Sequence, residues 1–158
     1  MVARMGRRRD VSMSDLETIE FLEASPTAVL STVGRNGYPH AAAMWFALQD
    51  RELWMWTYAK SQKAINVRRN PKVAFLVEDG EAYSDLRGVL VTGDVRVEAE
   101  FESVAAIGRL LYDRYTLPRT GIPAADGPIE EIERQARKRV GLILPLDDLA
   151  SWDHRKLT

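Results

Sequence analysis

Apolar and polar positions along the chain follow first a helical rhythm and then a strand rhythm. Leu16, Ile19 and Leu22 recur at the spacing of one helix face, behind the capping box of Ser14 and Glu17, and Pro26 ends the run. "TAVLSTV" (27–33) is rich in β-branched residues, and "GRNG" (34–37) carries the Asn-Gly signal of a tight hairpin. "YPHAAAMWFAL" (38–48) and "LWMWTY" (53–58) read as the next two strands, joined by the turn "QDRE". A helix is predicted over 61–70, with Ser61 as N-cap and Pro71 as its stop. "KVAFLVE" (72–78) reads as a strand buried on both faces, and "RGVLVTGDVRVEA" (87–99) as the longest strand, with Gly93 marking a bulge or bend. An amphipathic helix over 101–115, a Pro- and Gly-rich loop over 116–128, a helix over 129–138 and a strand over 139–146 complete the pattern. Six strands with hairpin connections and only peripheral helices predict a mainly β fold, a small six-stranded antiparallel barrel. Its expected span is 13–146, between a disordered basic tail at 1–12 and a C-terminal tail at 147–158.

Composition narrows the function classes. The 158 residues, 46% hydrophobic and 28% charged, suffice for one globular core. A formal net charge of −1 argues against a nucleic-acid binder that relies on bulk electrostatics. No apolar run approaches the roughly 20 residues that span a bilayer, and the basic start has no apolar segment behind it, so neither membrane nor secretion is expected. The absence of cysteine excludes thiolate chemistry and fits a cytoplasmic address. With only two histidines, His40 and His154, a structural zinc site is not expected, and neither residue stands at triad spacing from a nucleophile. Neither a GxGxxG nor a GxxxxGK[ST] motif is present, which sets aside the Rossmann and P-loop cofactor sites.

One local departure from neutrality remains. Residues 53–77 carry five cations (Lys60, Lys63, Arg68, Arg69, Lys72) and no acid. A Ser-capped helix start offers free backbone N–H groups and the positive end of a dipole, and Lys60, Gln62 and Lys63 add side-chain donors there. That is a phosphate site without a glycine-rich loop. For Arg68, Arg69 and Lys72 a solvated helix face is the preferred explanation of the charge, and for Ser61 and Lys63 the site is. Trp54 and Trp56 share one strand face, as barrel core or as a wall for a flat ring.

The order of these elements, with the hairpin "GRNGYP", the segment T-x-x-x-S-x-K (57–63), N-P-x-V (70–73) and R-G-V-x-x-x-G (87–93), resembles the pyridoxamine 5'-phosphate oxidase-like, FMN-binding split-barrel superfamily. The run K-x-x-N-x-R-R-x-P-x-V (63–73) is similar to its actinobacterial branch of deazaflavin-dependent oxidoreductases, which use coenzyme F420. The resemblance implies a homodimeric split barrel with a cofactor groove between subunits. It implies hydride transfer to or from a small organic substrate, with coenzyme F420 favoured and FMN the alternative. By position it assigns the ring to the strand edge Ala42, Ala43, Met44 and Trp45, with Trp56, Thr57 and Tyr58 closing over it. It assigns the phosphate to Lys60, Ser61, Gln62 and Lys63, where Gln62 takes the place of the family's arginine, and adds Arg87. Gly88 stands where the oxidase proper has a glutamine, and the oxidase's substrate-binding C-terminal segment has no counterpart, which points away from pyridoxamine phosphate oxidation. Tyr58 and Tyr83 are positional candidates for proton delivery, and "SWDHRKL" for a cover over the partner's pocket. The rival expectation is a non-enzymatic flavin or haem carrier or sensor on the same barrel, with His40 or His154 as haem ligand.

Overall fold

A computed structural model describes residues 11–157; the basic cluster at 7–9 lies outside the described residues. Helix α1 (Asp15–Ala24) starts on the expected capping box, with Ser14 Oγ accepting from Glu17 N at 3.2 Å and Glu17 Oε2 from Ser14 N at 2.6 Å. Its buried face differs from the one expected. Leu16 is 68% exposed, and Thr18, Phe21 and Leu22 turn inward.

The chain then forms β1 (Ala28–Val33), β2 (Pro39–Met44), β3 (Ala47–Gln49), β4 (Glu52–Tyr58), α2 (Gln62–Arg69), β5 (Lys72–Asp79), β6 (Arg87–Asp94) and β7 (Arg96–Glu98). It continues through α3 (Phe101–Tyr115), α4 (Leu117–Thr120), α5 (Ile129–Ala136), β8 (Arg139–Pro145) and β9 (Asp148–Asp153). The strands make two antiparallel sheets, ordered β2-β1-β5-β6-β9 and β3-β4-β8-β7.

Among the described residues nine strands replace the six expected, for two physical reasons. Two long strands each break where the chain passes from one sheet to the other. β2 pairs with β1 and β3 with β4, and the corner is Trp45–Phe46, where Phe46 is fully buried. The second corner is Val95, buried and held by its N–H on Pro71 O at 2.9 Å, just beyond the Gly93 that marked the bend. The ninth strand lies in the expected C-terminal tail. "DLASWD" has weak strand propensity, and it is strand because it completes the ladder along β6, from Arg87↔Asp153 to Thr92↔Asp148. The loop expected over 116–128 also carries one helical turn, α4.

The main core lies between the sheets. Leu30, Phe75, Val89 and Val91 from the larger meet Leu53, Met55, Leu142 and Leu144 from the smaller, and Phe21, Leu22 and Val67 extend the cluster from α1 and α2. A second apolar layer forms where α3 lies on the outer face of the smaller sheet, with Ile107 and Leu111 packed on Ala47, Ile143, Trp54 and Trp56. The larger sheet's outer face is open by comparison. Ala43, Val29, Leu76, Leu90 and Ala150 stand in register across its five strands, and Val29 is 40% exposed. No helix among the described residues is long and apolar enough to cross a membrane.

Candidate functional site

The end of β4 delivers the chain directly into α2. Ala59 N donates to Lys138 O at 3.0 Å and Ser61 N to Tyr58 O at 2.9 Å, so the two-residue turn is fixed from both sides. Ser61 caps α2 as expected, its Oγ accepting from Ala64 N at 3.3 Å and lying 3.1 Å from Thr57 Oγ1. Helical geometry leaves the N–H groups of Gln62 and Lys63 without intrahelical acceptors, at the positive end of a dipole with no acid in the first turn. Lys63 is half-buried, and burial, reinforced by the charge of Arg139, holds its pKa below the usual lysine value. These residues suit a phosphate.

Gln62 takes no part in that arrangement through its amide, which donates to Asn66 Oδ1 at 2.8 Å. Asn66 is fully buried and donates in turn to Thr32 Oγ1 at 2.9 Å, tying α2 to β1. Lys60 is exposed in the turn. Arg68 donates to Ala59 O at 2.6 Å and Arg69 to Val33 O, yet both remain exposed, so each guanidinium keeps donors for an approaching anion.

The residues expected beside the ring begin with the β2 edge. β2 pairs only with β1, which leaves one side of its backbone unpaired in the sheet, and Ala41 and Ala43 are exposed beside it. Ala42 is half-buried, while Met44 points into the core and presents only its backbone. Trp45 is 54% exposed and stacks on Tyr115 with centroids 4.4 Å apart and planes 7° from parallel. Trp54 and Trp56 do share a face, as the alternation predicts, and that face looks toward α3 rather than into the barrel. Trp45, Trp56, Leu111, Tyr112 and Ile132 line a mostly apolar cleft of about 190 Å³ between the smaller sheet and the helices. Thr57 points inward to Ser61, and Tyr58 is half-exposed under the guanidinium of Arg139, 4.0 Å from its ring centroid.

Arg87 does not join this group within the chain. It lies at the far end of β5 and β6 from α2, paired with Asp79 and 5.0 Å over the Phe21 ring. Tyr83 is likewise remote from Tyr58 in its contacts: its ring lies 4.6 Å from that of His154, whose Nδ1 is 2.8 Å from Tyr83 O. His40 lines a different cleft with Tyr38, Gln62 and Asn66, and its buried Nδ1 has no hydrogen-bond partner among the described residues.

Sequence reasoning missed Arg139, and it offered the segment containing Trp152 only as a cover over the partner's pocket. Arg139 opens β8, and only the register Tyr58↔Arg139 brings it to the site. Trp152 lies against Gly88, where a Cβ would come within 2.1 Å of the indole, so the C-terminal strand fills the space a longer side chain would need.

A family model described as pyridoxamine 5'-phosphate oxidase matches residues 15–140. The chain belongs to this family. A conserved hypothetical protein from Mycobacterium tuberculosis is 42% identical, with a TM-score of 0.86 over 94% of this chain and 89% of that one. An F420 reductase is 29% identical, with a TM-score of 0.63 over 83% of this chain and 94% of that one. A haem storage protein from Vibrio cholerae, 17% identical with a TM-score of 0.65 over 87% and 94% of the two chains, shows the shared fold alone. No curated protein matches. The family expected from the sequence is therefore the one found, and the Ser61 cap beside Lys63 fits the phosphate end of a flavin-type cofactor.

Proposed function

We propose that the protein is an oxidoreductase that binds coenzyme F420 in preference to FMN and passes hydride to or from a small organic substrate. The observation that carries this reading is the α2 start, where Ser61, two free N–H groups and a half-buried Lys63 lie together, with Gln62 sharing a cleft with Pro39 and His40 at the start of β2. The likeness to an F420 reductase at 29% identity supports it. Once bound, the cofactor supplies the hydride chemistry. The chain's own residues bind and orient: the α2 start takes the phosphate, the β2 backbone edge faces the ring, and Trp56 and Tyr58 close beside it. Coenzyme F420 continues past its phosphate into carboxylates, for which exposed Lys60, Arg68 and Arg69 provide a cationic track; FMN has no such tail. A second copy of the chain, covering the open apolar row, completes the groove.

The test is affinity for both cofactors side by side, by fluorescence titration at low and high ionic strength, followed by turnover of an electron acceptor. Coenzyme F420 should bind more tightly than FMN, and the gap should narrow with salt, because each exposed ionic contact contributes about 1 kcal/mol or less. Tight FMN binding beside negligible deazaflavin binding makes it an FMN enzyme instead. A Soret band in place of either cofactor's spectrum, lost in His40→Ala, overturns the proposal in favour of a haem carrier.

A further inference from the structure

We propose that the cleft between the smaller sheet and helices α3 and α5 is a binding site for a neutral, one-ring aromatic molecule that carries a hydroxyl or carbonyl oxygen. The claim is independent of which cofactor the α2 start takes.

The walls set the shape of the ligand. Tyr115 covers one face of the Trp45 indole in a near-parallel stack, 4.4 Å between centroids. Tyr115 is itself locked, because its hydroxyl lies 3.1 Å from both the N and the O of Phe46. The rest of the Trp45 ring is left to the cleft and to solvent, with 54% of the residue exposed. Trp56 is held between the Arg139 guanidinium, 4.7 Å from its ring centroid, and the backbone of α3 at Gly108. Leu111 and Ile132 add aliphatic lining. Held indoles beside aliphatic side chains suit a flat apolar ring. An apolar cavity of about 150 Å³ holds one benzene molecule. The cleft, at about 190 Å³, therefore takes one ring with a short substituent.

Charge and hydrogen bonding set the chemistry. Glu131 is the one ionic residue in the lining, and it is already paired with Arg134 and accepts from Gln135 Nε2 at 2.8 Å. Gln135 Oε1 is in turn taken by Arg139 Nη2 at 3.3 Å. No lining residue offers an uncompensated charge, so an ion entering the cleft loses hydration without gaining a partner. Two polar groups stay uncommitted, the hydroxyls of Tyr112 and of Thr116, one helical turn apart at the end of α3. Neither makes a side-chain hydrogen bond among the described residues. Tyr112 Oη lies beside Gly127, 3.3 Å from where a Cβ would stand, at the Pro128 end of the cleft. A hydroxyl both donates and accepts, so the pair suits an uncharged oxygen substituent. An apolar lining with a few convergent polar groups is the usual make-up of a small-molecule site.

The experiment titrates the full chain, followed by NMR, with four probes built on one ring: benzyl alcohol, toluene, benzoate and benzylammonium. Benzyl alcohol should bind at least about tenfold more tightly than either ion, with nuclear Overhauser contacts from its ring to those of Trp45 and Tyr112. The double variant Tyr112→Phe, Thr116→Val should bind benzyl alcohol about three- to tenfold more weakly and toluene as before. Trp45→Ala should weaken both. If Trp45→Ala fails to fold, the contacts in wild type and the double variant decide. An ion that binds as tightly as benzyl alcohol overturns the inference, and so does saturation without contacts to Trp45 and Tyr112. Equal benzyl alcohol affinity in wild type and the folded double variant overturns it too, as does the absence of binding by all four probes.

Discussion

Gly108 lies on the face of α3 that meets Trp56, where a Cβ would stand 2.6 Å from the indole Cζ3 and 2.8 Å from Ile132 Cγ2. Both neighbours are wedged between sheet and helix, so Gly108→Ala moves Trp56. Alanine gains about 1 kcal/mol of helix propensity, against an overpacking cost of about 1–3 kcal/mol. The expected result is a chain destabilised by up to about 2 kcal/mol with shifted tryptophan fluorescence. Unchanged denaturant midpoint and emission would show that the indole yields freely. Lys63→Ala should behave in the opposite way. It should leave the midpoint unchanged and weaken cofactor binding about ten- to a hundredfold, the loss of one charge-assisted bond. Fluorescence titration checks it, and equal affinity for both cofactors before and after would remove Lys63 from the site. Ser61 and Lys63 were legible in the sequence because capping and helix position are local. Arg139 was not, since nothing near it in the chain marks a site and only a strand register brings it to Tyr58.

The same division holds for whole elements. α1 and α2 were readable from their caps and following prolines, and β1 from its composition. The breaks that divide β2 from β3 and β6 from β7 were hidden, because apolar alternation runs through each corner while the hydrogen-bond partner changes. β9 was hidden for a different reason: its strand state is conferred by β6. Its end is pinned electrostatically, with Asp153 buried and accepting from Arg155 Nε at 2.8 Å and Nη2 at 2.6 Å. Those bonds hold the Asp153 carboxyl below its ordinary 3.8. A depressed folded-state pKa stabilises the fold fully above the ordinary aspartate range, and that contribution is lost as pH falls through the folded value. Stability should therefore drop below about pH 4, and Asp153→Asn should flatten part of that drop while lowering the plateau at neutral pH. Urea midpoints measured from pH 7 to pH 3 test this, and parallel curves for the two proteins would count against it.

At the scale of the whole molecule, the helices are distributed unevenly over the two sheets. α3 seals the outer face of the smaller sheet, whereas the larger sheet keeps the in-register row Ala43, Val29, Leu76, Leu90 and Ala150 on its outer surface. The row begins at β2, the strand whose unpaired edge faces the proposed ring site, so whatever covers the row also borders that site. The mainly β character of the chain was evident from its strand runs, yet the sharing of the described strands between two sheets was not, because non-local pairing decides it. We expect a second copy of the chain to cover the row. Sedimentation at micromolar concentration should then show a species of twice the 17.9 kDa chain mass. A charge placed in the row tests the surface itself. Val29 is 40% exposed in the single chain, so Val29→Glu leaves the carboxylate in water when the protein is alone. Burying it unpaired between two copies would cost roughly 3 kcal/mol or more, about a hundredfold in dimer affinity. The variant should be a folded monomer with normal far-ultraviolet dichroism, and its cofactor affinity should fall because one wall of the groove has gone. A wild-type monomer that binds cofactor tightly would refute the two-walled groove, and a Val29→Glu dimer would place the contact elsewhere on the molecule.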